Sequence, residues 1–324
     1  MTAPTIVVGH KNPDNDAICA AVGYAYLKNE LAKRDSGGKT KPTEYVPARL
    51  GPLPPETAKV LEENGIEPPM LISNLHARVS DVMTSNPYSI KADARLLDAG
   101  RAMREHNVRA LVVENEDGTC RGLMTLRMLA WRYVAATDLM QTGAAEKAVA
   151  EDLIASLDQK VEDLTEVEVL KLDKDGILSE AVDELMTSSL REALVIDEQG
   201  RAAGIVTRSD VAVRPRRKVI LVDHNELRQA ADGIEEAEVV EVIDHHRIAD
   251  VSTVNPIKFM NLPVGSTATI VAMEFNRLGV ELPQNIARVL LSAIMTDTVM
   301  LKSPTATDID AQVANKLGEI IGEE

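Results

Sequence analysis

The chain has 324 residues, with 35 Lys and Arg against 51 Asp and Glu, a formal charge of −16 and two cysteines. That length can bury a substantial core and suits about two domains, while the acidity excludes a basic nucleic-acid-binding face, and the distant Cys19 and Cys120 exclude a disulfide framework or a thiolate metal site. Met1-Thr2-Ala3-Pro4 has no basic segment of the signal-peptide kind, and no run reaches the roughly 18 apolar residues of a membrane span, so a cytoplasmic protein with no membrane or nucleic-acid partner is expected.

Ile6 to Gly9 predicts a first strand and Ala17 to Lys33 a helix. Between them runs Gly9-His10-Lys11-Asn12-Pro13-Asp14-Asn15-Asp16. In an extended stretch residues two apart point the same way, so Asp14 and Asp16 can face one site; either could instead cap the following helix. An internal repeat follows at an offset of 82 residues, in which Asp81, Asp93, Ala99, Arg109, Val113, Gly118, Gly122 and Thr125 match Asp163, Asp175, Ala181, Arg191, Val195, Gly200, Gly204 and Thr207. Each copy reads as a strand, a helix, two strands around a Gly turn, and a second helix. In the first copy these are a helix Ala94 to Glu105 and strands Ala110 to Val113 and Gly122 to Thr125, with Asp117-Gly118 between. Such a unit cannot close a core alone and should pair with its twin.

The repeat occupies 76–214 and reads as an insertion into a host formed by 1–75 and 215–324. The basic run Arg214-Pro215-Arg216-Arg217-Lys218 reads as a solvated linker. In the second host segment, Val219 to Val222 leads into Asp223-His224-Asn225, and Val239 to Ile243 leads into Asp244-His245-His246. Ser266 to Leu278 and Gln284 to Met295 predict helices, with Asp297 just after the second. Short apolar strands alternating with helices predict an α/β fold with a parallel sheet, whose ligands bind beyond the carboxyl ends of its strands. His10, Asp14, Asp16, Asp223, Asp244, His245, His246 and Asp297 all fall at the ends of predicted elements. Each alone could cap or turn. Together they offer hard oxygen and borderline nitrogen ligands that suit Mn²⁺, Co²⁺ or Mg²⁺, in numbers beyond the needs of one ion. Two cations about 3.5–4 Å apart can acidify one bridging water and neutralise phosphate oxygens, so hydrolysis of a phosphoester or phosphoanhydride is the natural reaction class.

These four separated motifs, in this order, resemble the DHH phosphoesterase superfamily. With Gly265-Ser266-Thr267-Ala268-Thr269 and Leu301-Lys302-Ser303-Pro304-Thr305 they resemble, within it, the family II manganese-dependent inorganic pyrophosphatases. The resemblance covers the whole chain, because that family includes members with an inserted regulatory module. It implies hydrolysis of inorganic diphosphate to two phosphates by a hydroxide bridging two Mn²⁺ (or Co²⁺) ions, with Mg²⁺ able to accompany the substrate. It also implies that His10 and Asp14 bind one metal and Asp16, His245 and Asp297 the other, that Asp223 bridges, and that Asp244 orients an imidazole. His246 would stand beside the reacting oxygen as proton donor or electrostatic stabiliser; His224 and Asn225 carry no assigned role. Family members resemble a two-lobed clamp whose C-terminal DHHA2 lobe carries a Ser-Arg-Lys-Lys-Gln-like substrate motif. No such motif follows Lys302, so the expectation is that this lobe is absent, that pyrophosphate lacks its cationic lid, and that turnover is impaired.

The repeat resembles a pair of CBS domains, at about 76–136 and 158–214, through Gly204-Ile205-Val206-Thr207-Arg208-Ser209-Asp210. That resemblance implies that Thr207 contacts the phosphate and Asp210 the ribose of an adenine nucleotide (AMP, ADP or ATP), which regulates the host, and that paired modules favour a homodimer. In the first copy Thr125 is kept but Met128 replaces the carboxylate, so the Thr207–Asp210 site should be the better one. Two other readings remain open. One is a non-catalytic nucleotide sensor. The other is a different DHH phosphodiesterase acting on cyclic dinucleotides or short oligonucleotides, which the acidity and the 2% aromatic content disfavour.

Overall fold

The computed structural model describes residues 4–37, 44–141, 145–212 and 215–322; Met1-Thr2-Ala3, Arg214 of the basic run and Glu323-Glu324 lie outside them. The chain divides into two compact units, Met1–Ala77 with Arg216–Glu324, and Arg78–Pro215.

The first unit is built on six parallel strands, β1 (Thr5–Val8), β2 (Tyr45–Arg49), β3 (Met70–Leu71), β4 (Lys218–Val222), β5 (Glu238–Asp244) and β6 (Lys258–Asn261), in the order β6-β5-β4-β1-β2-β3. Their apolar runs are continuous because both faces are covered. Val7, Ile220, Val222 and Ile243 face one core, while Ile6, Val8, Val219, Leu221 and Val242 face the other. The first core is closed by α1 (Asn15–Asp35), α3 (Thr267–Leu278), α4 (Gln284–Asp297) and α5 (Asp308–Ile321), through Ile18, Tyr24, Phe275, Leu290 and Leu317. A short helix, α2 (Pro55–Glu63), adds Leu61 to it. Leu75, Ala230, Ala231 and Ile234 close the second core from irregular segments.

Chain direction sets the place of the site. From β1 the chain proceeds outward to β2 and β3; it later returns to β4 on the opposite flank of β1 and proceeds outward to β5 and β6. The switch point therefore lies between β1 and β4, where open α/β sheets bind ligands at the carboxyl ends. On the helical face α1 and α4 approach closely at Gly23, where a Cβ would meet Leu290 Cδ2 at 2.8 Å. This contact fixes the relative height of the two helices that carry Asp16 and Asp297.

The second unit has two small sheets. One pairs Ser89–Lys91, Ala110–Glu114 and Cys120–Thr125; the other orders Thr84–Ser85, Ala202–Thr207, Glu192–Ile196 and Lys171–Leu172. Thr84–Ser85, at the start of the first copy, pairs with the second copy's strand Ala202–Thr207. Glu166, which precedes the second copy's strands, bridges to Leu123 in the first. Val112 and Leu123 share a core with Leu190, Leu194 and Ile205, so neither copy encloses a core by itself. The repeated glycines are steric necessities: a Cβ on Gly122 would lie 2.1 Å from Glu166 O, and one on Gly204 2.7 Å from Met83 Sδ.

Leu290 is fully buried in the α1–α4 contact. Leu290→Ala should cost about 2–5 kcal/mol, read as a lower urea midpoint for the helical signal.

Candidate metal centre

Four segments bring the site together at the β1–β4 switch. His10 follows β1, Asp14 caps α1 and Asp16 lies in its first turn, Asp223 follows β4, Asp244 ends β5 with His245 and His246 beyond it, and Asp297 ends α4. Because β4 lies between β1 and β5, Asp223 has an imidazole on either side. Its Oδ2 is 3.4 Å from His10 Nε2 and its Oδ1 is 3.4 Å from His245 Nε2. His10 Nε2 also lies 3.6 Å from Asp14 Oδ2, and His245 Nε2 3.5 Å from Asp297 Oδ2. Three groups of possible ligand atoms, each within 4.8 Å of one another, result: His10, Asp14 and Asp223; Asp16, His245 and Asp297; and Asp223, His245 and His246. Asp223 takes part in two of them.

Asp14 and Asp16 do not share one face of an extended stretch, as their spacing suggests. The helix begins at Asn15, so Asp14 turns toward His10 and Asp16 toward His245 and Asp297. Asp14 combines both of the roles open to it, since its Oδ1 accepts from Ala17 N at 2.9 Å while Oδ2 faces His10.

The imidazoles are oriented from behind. Nδ1 of His10 donates to Lys11 O (2.8 Å) and Nδ1 of His245 to Val264 O (3.0 Å). A carbonyl can only accept, so each Nδ1 carries the hydrogen and each Nε2 faces the carboxylates, the arrangement that metal-ligating histidines use. His246 Nδ1 donates to Asp244 Oδ1 at 2.9 Å, and the backbone N–H groups of His245 and His246 donate to the same oxygen. Asp244 is buried and takes a further hydrogen bond from Asn225. Asn225, to which the sequence assigns no role, also donates to Arg247 O at 3.0 Å and accepts from Ala249 N, and so fixes the loop that carries both histidines. His224 is buried with Nδ1 on Val222 O.

Asp16 and Asp223 are held by the entry to α3. Ser266 Oγ (2.8 Å), Thr267 N (2.6 Å) and Ala268 N (2.9 Å) donate to Asp16, and Thr267 Oγ1 (2.9 Å) donates to Asp223. The two N–H groups belong to a helix N-terminus, where anionic groups are favoured. Sequence reasoning gives Ser266 and Thr267 no role; the Gly-Ser-Thr signature of an N-cap was their signal.

Burial disfavours charge on His10, His245, Asp16, Asp223 and Asp297, and proximity decides the outcome. Desolvation opposes an imidazolium at His10 and His245, but hydrogen bonds and the charges of Asp14, Asp223 and Asp16 override it, and their pKa values are pushed up to about 11 and about 10. Burial likewise opposes ionisation of Asp223, yet the two imidazoles hold its carboxyl far below the usual range. Burial, then the charges of Asp223 and Asp297, lifts Asp16 well above it. Burial, then the charge of Asp223, raises Asp297 to about 6 against the opposing pull of His245. Asp297 Oδ2 is buried with no hydrogen-bond partner among the described residues. Inward-facing carboxylate oxygens short of donors, beside oriented Nε2 atoms, match the donor set of hard divalent cations.

In the second unit, Thr207 N and Oγ1 both donate to Asp210 Oδ2 at 2.8 Å. At the matching place Thr125 N donates to Met128 Sδ at 3.4 Å, and Thr125 Oγ1 is buried with no hydrogen-bond partner among the described residues.

A family model described as the DHH family, N-terminal domain, matches residues 4–294. The chain is 31% identical to a probable manganese-dependent inorganic pyrophosphatase of Thermotoga maritima, over 97% of this chain and 73% of that protein. It is 28% identical to a cobalt-dependent inorganic pyrophosphatase of Clostridium perfringens, over 98% and 74%. Among solved structures it is similar to a Methanococcus jannaschii protein of the family II pyrophosphatase type, at 24% identity and TM-score 0.48, covering 98% of this chain and 55% of that one. It is also similar to a CBS-domain containing protein of Agrobacterium tumefaciens, at 23% identity and TM-score 0.34, over 44% and 97%. No helix among the described residues is long and apolar enough to cross a membrane.

The raised histidines set a pH dependence for the metal-free chain. Their folded pKa values exceed the ordinary 6.5, so the stability they contribute is complete below about pH 6.5 and is lost as pH rises toward 10–11. Scanning calorimetry in chelator should show the unfolding midpoint of the first unit falling between about pH 6.5 and 9. Saturating Mn²⁺, which replaces the two protons, should flatten that slope.

Proposed function

The chain belongs to the DHH family and, within it, to the manganese- or cobalt-dependent inorganic pyrophosphatases, and on that premise we propose that it hydrolyses inorganic diphosphate to two phosphates at the β1–β4 switch, under control of adenine nucleotides bound to its second unit. The observation that carries the first half is the position of Asp223, which groups with His10 and Asp14 and stands 3.4 Å from His245, itself grouped with Asp16 and Asp297. In this reading His10 and Asp14 hold one divalent cation, Asp16, His245 and Asp297 hold the other, and Asp223 serves both. When bound, the cations would neutralise phosphate oxygens and lower the pKa of a bound water.

The protein's own groups do the remaining work. Val264 O and Lys11 O keep the Nε2 atoms of His245 and His10 turned inward. Asp244 fixes His246 through Nδ1, leaving Nε2 as the atom that hands a proton to the departing phosphate oxygen. The partner carboxylate raises the His246 pKa, with burial opposing, which keeps that proton available near neutral pH.

Phosphate release from diphosphate with Mn²⁺ tests this directly; no release above a metal-free control would overturn it. Asp223→Asn should lower bound metal more than His10→Ala or Asp297→Asn, because it serves both ions, and should cut turnover by more than about a hundredfold. Elemental analysis of the three variants after gel filtration gives the ranking.

The regulatory half is supported by the Thr207–Asp210 pair, which presents a hydroxyl and a carboxylate together, whereas Met128 offers no carboxylate beside Thr125. An effector can act only by binding two conformations unequally. Association of two chains through this unit is part of the same proposal. Isothermal titration should detect AMP, ADP or ATP, with Asp210→Ala about tenfold weaker or worse. No heat with any of the three would remove this half and leave the hydrolase standing.

A further inference from the structure

One buried carboxylate is used far beyond the needs of its own helix. Asp310 lies in the first turn of α5, is 0% exposed and belongs to none of the candidate ligand groups. With Thr307 it forms a capping box, in which Asp310 Oδ2 accepts from Thr307 N at 2.8 Å and from Thr307 Oγ1 at 2.7 Å. A cap needs nothing more. Yet Oδ2 also accepts from Gly265 N at 2.8 Å, and Oδ1 accepts from Thr269 Oγ1 at 2.6 Å. Those two donors are the ends of the pentapeptide 265–269. Its middle residues supply all three donors to Asp16 and the hydroxyl donor to Asp223. The same loop is wedged against the residue after Asp297, since a Cβ on Gly265 would meet Thr298 Cγ2 at 2.6 Å and Asp310 Oδ2 at 3.0 Å.

We propose that Asp310 is a positioning residue for the Asp16 half of the dinuclear centre, acting through the loop 265–269. This rests on the metal-centre reading above. The physical argument is directional. Asp16 is buried among other carboxylates, and its orientation is set by the N–H groups of Thr267 and Ala268 and the hydroxyl of Ser266. Those donors aim correctly only while the first turn of α3 is held. Asp310 holds it at both ends from a second helix, and burial of all the groups leaves no water to substitute. His10 and Asp14 do not bond to this loop, which reaches the first metal position only through the Thr267 hydroxyl on Asp223, so that position should be the less sensitive of the two.

The test separates positioning from simple stability. Thr269→Val keeps the side chain's shape but removes its bond to Asp310. Thr307→Ala removes the hydroxyl half of the cap and leaves the Gly265 and Thr269 bonds. Asp310→Asn can keep acceptance from Gly265 and Thr307 while its amide donates to Thr269 Oγ1, and so serves as the rescue. Mn²⁺ binding to the full chain is followed by the electron paramagnetic resonance signal of free Mn²⁺, with thermal midpoints measured alongside. Thr269→Val should weaken one of the two Mn²⁺ equivalents by about tenfold and leave the other within about twofold. Thr307→Ala should lower the midpoint but leave both affinities as in the parent, and Asp310→Asn should bind nearly as the parent does. Normal binding of both ions by Thr269→Val, or an equal loss in Thr307→Ala, overturns the proposal while the metal centre stands. A parent chain that binds no Mn²⁺ overturns the centre and this proposal together.

Discussion

A single buried carboxylate organises this unit. Asp223 is removed from water at the carboxyl end of a central strand, where an isolated ionised group is costly. It stays charged because imidazoles reach it from both flanks, His10 from β1 and His245 from β5. That geometry is available only because β4 lies between β1 and β5 in the sheet, with neighbouring strands about 4.8 Å apart. The backbone of Asp223 is left-handed, with φ of 63°. Asp tolerates that conformation better than most residues, but it is still strained, and such strain persists where surrounding bonds over-determine it. Here those bonds are Asp223 N to Ile243 O at 3.0 Å and Thr267 Oγ1 to the carboxylate. Fold, strand order and site chemistry thus converge on one side chain.

Much of this was legible in the sequence, and the legible parts share a cause. The strands β1, β4 and β5 are short apolar runs buried on both faces, so each ends abruptly where the chain turns polar, and the site residues sit at those junctions. The repeat was legible in part because Gly122 and Gly204 have no room for a side chain and Gly118 and Gly200 take positive φ in matching turns. The illegible parts fail for identifiable reasons. β2 contains Pro47, a residue that ordinarily argues against an inner strand, yet it pairs in register with β1. β6 is four residues with one strongly apolar ring, too short to show a period. The separation of Asp14 from Asp16 was hidden because the helix starts one residue after Asp14, converting a two-residue spacing into a turn. The parts played by Asn225, Ser266, Thr267 and Asp310 were hidden, since a cap signature says which helix a side chain begins but not which distant carboxylate it also holds.

The distribution of hydrogen-bond donors argues that the cluster is a metal centre and not a structural ion-pair network. A network that exists for stability saturates its acceptors, because unsatisfied buried oxygens are expensive. The Lys258–Glu274–Arg277 group at the sheet edge does this, with short direct bonds from both cations to one carboxylate. The candidate site does the reverse. Asp16, Asp244 and the two Nδ1 atoms are fully served from outside, by backbone and by buried hydroxyls. Toward the interior, Nε2 atoms stand 3.4–3.6 Å from carboxylate oxygens, and Asp297 Oδ2 has no donor. Groups oriented so firmly from behind and left so loosely joined in front are arranged around positive charge that the chain itself supplies only as protons. Divalent cations supply that charge at neutral pH with ligand geometry that protons lack, and the same deficit that makes the metal-free cluster costly makes it selective for them.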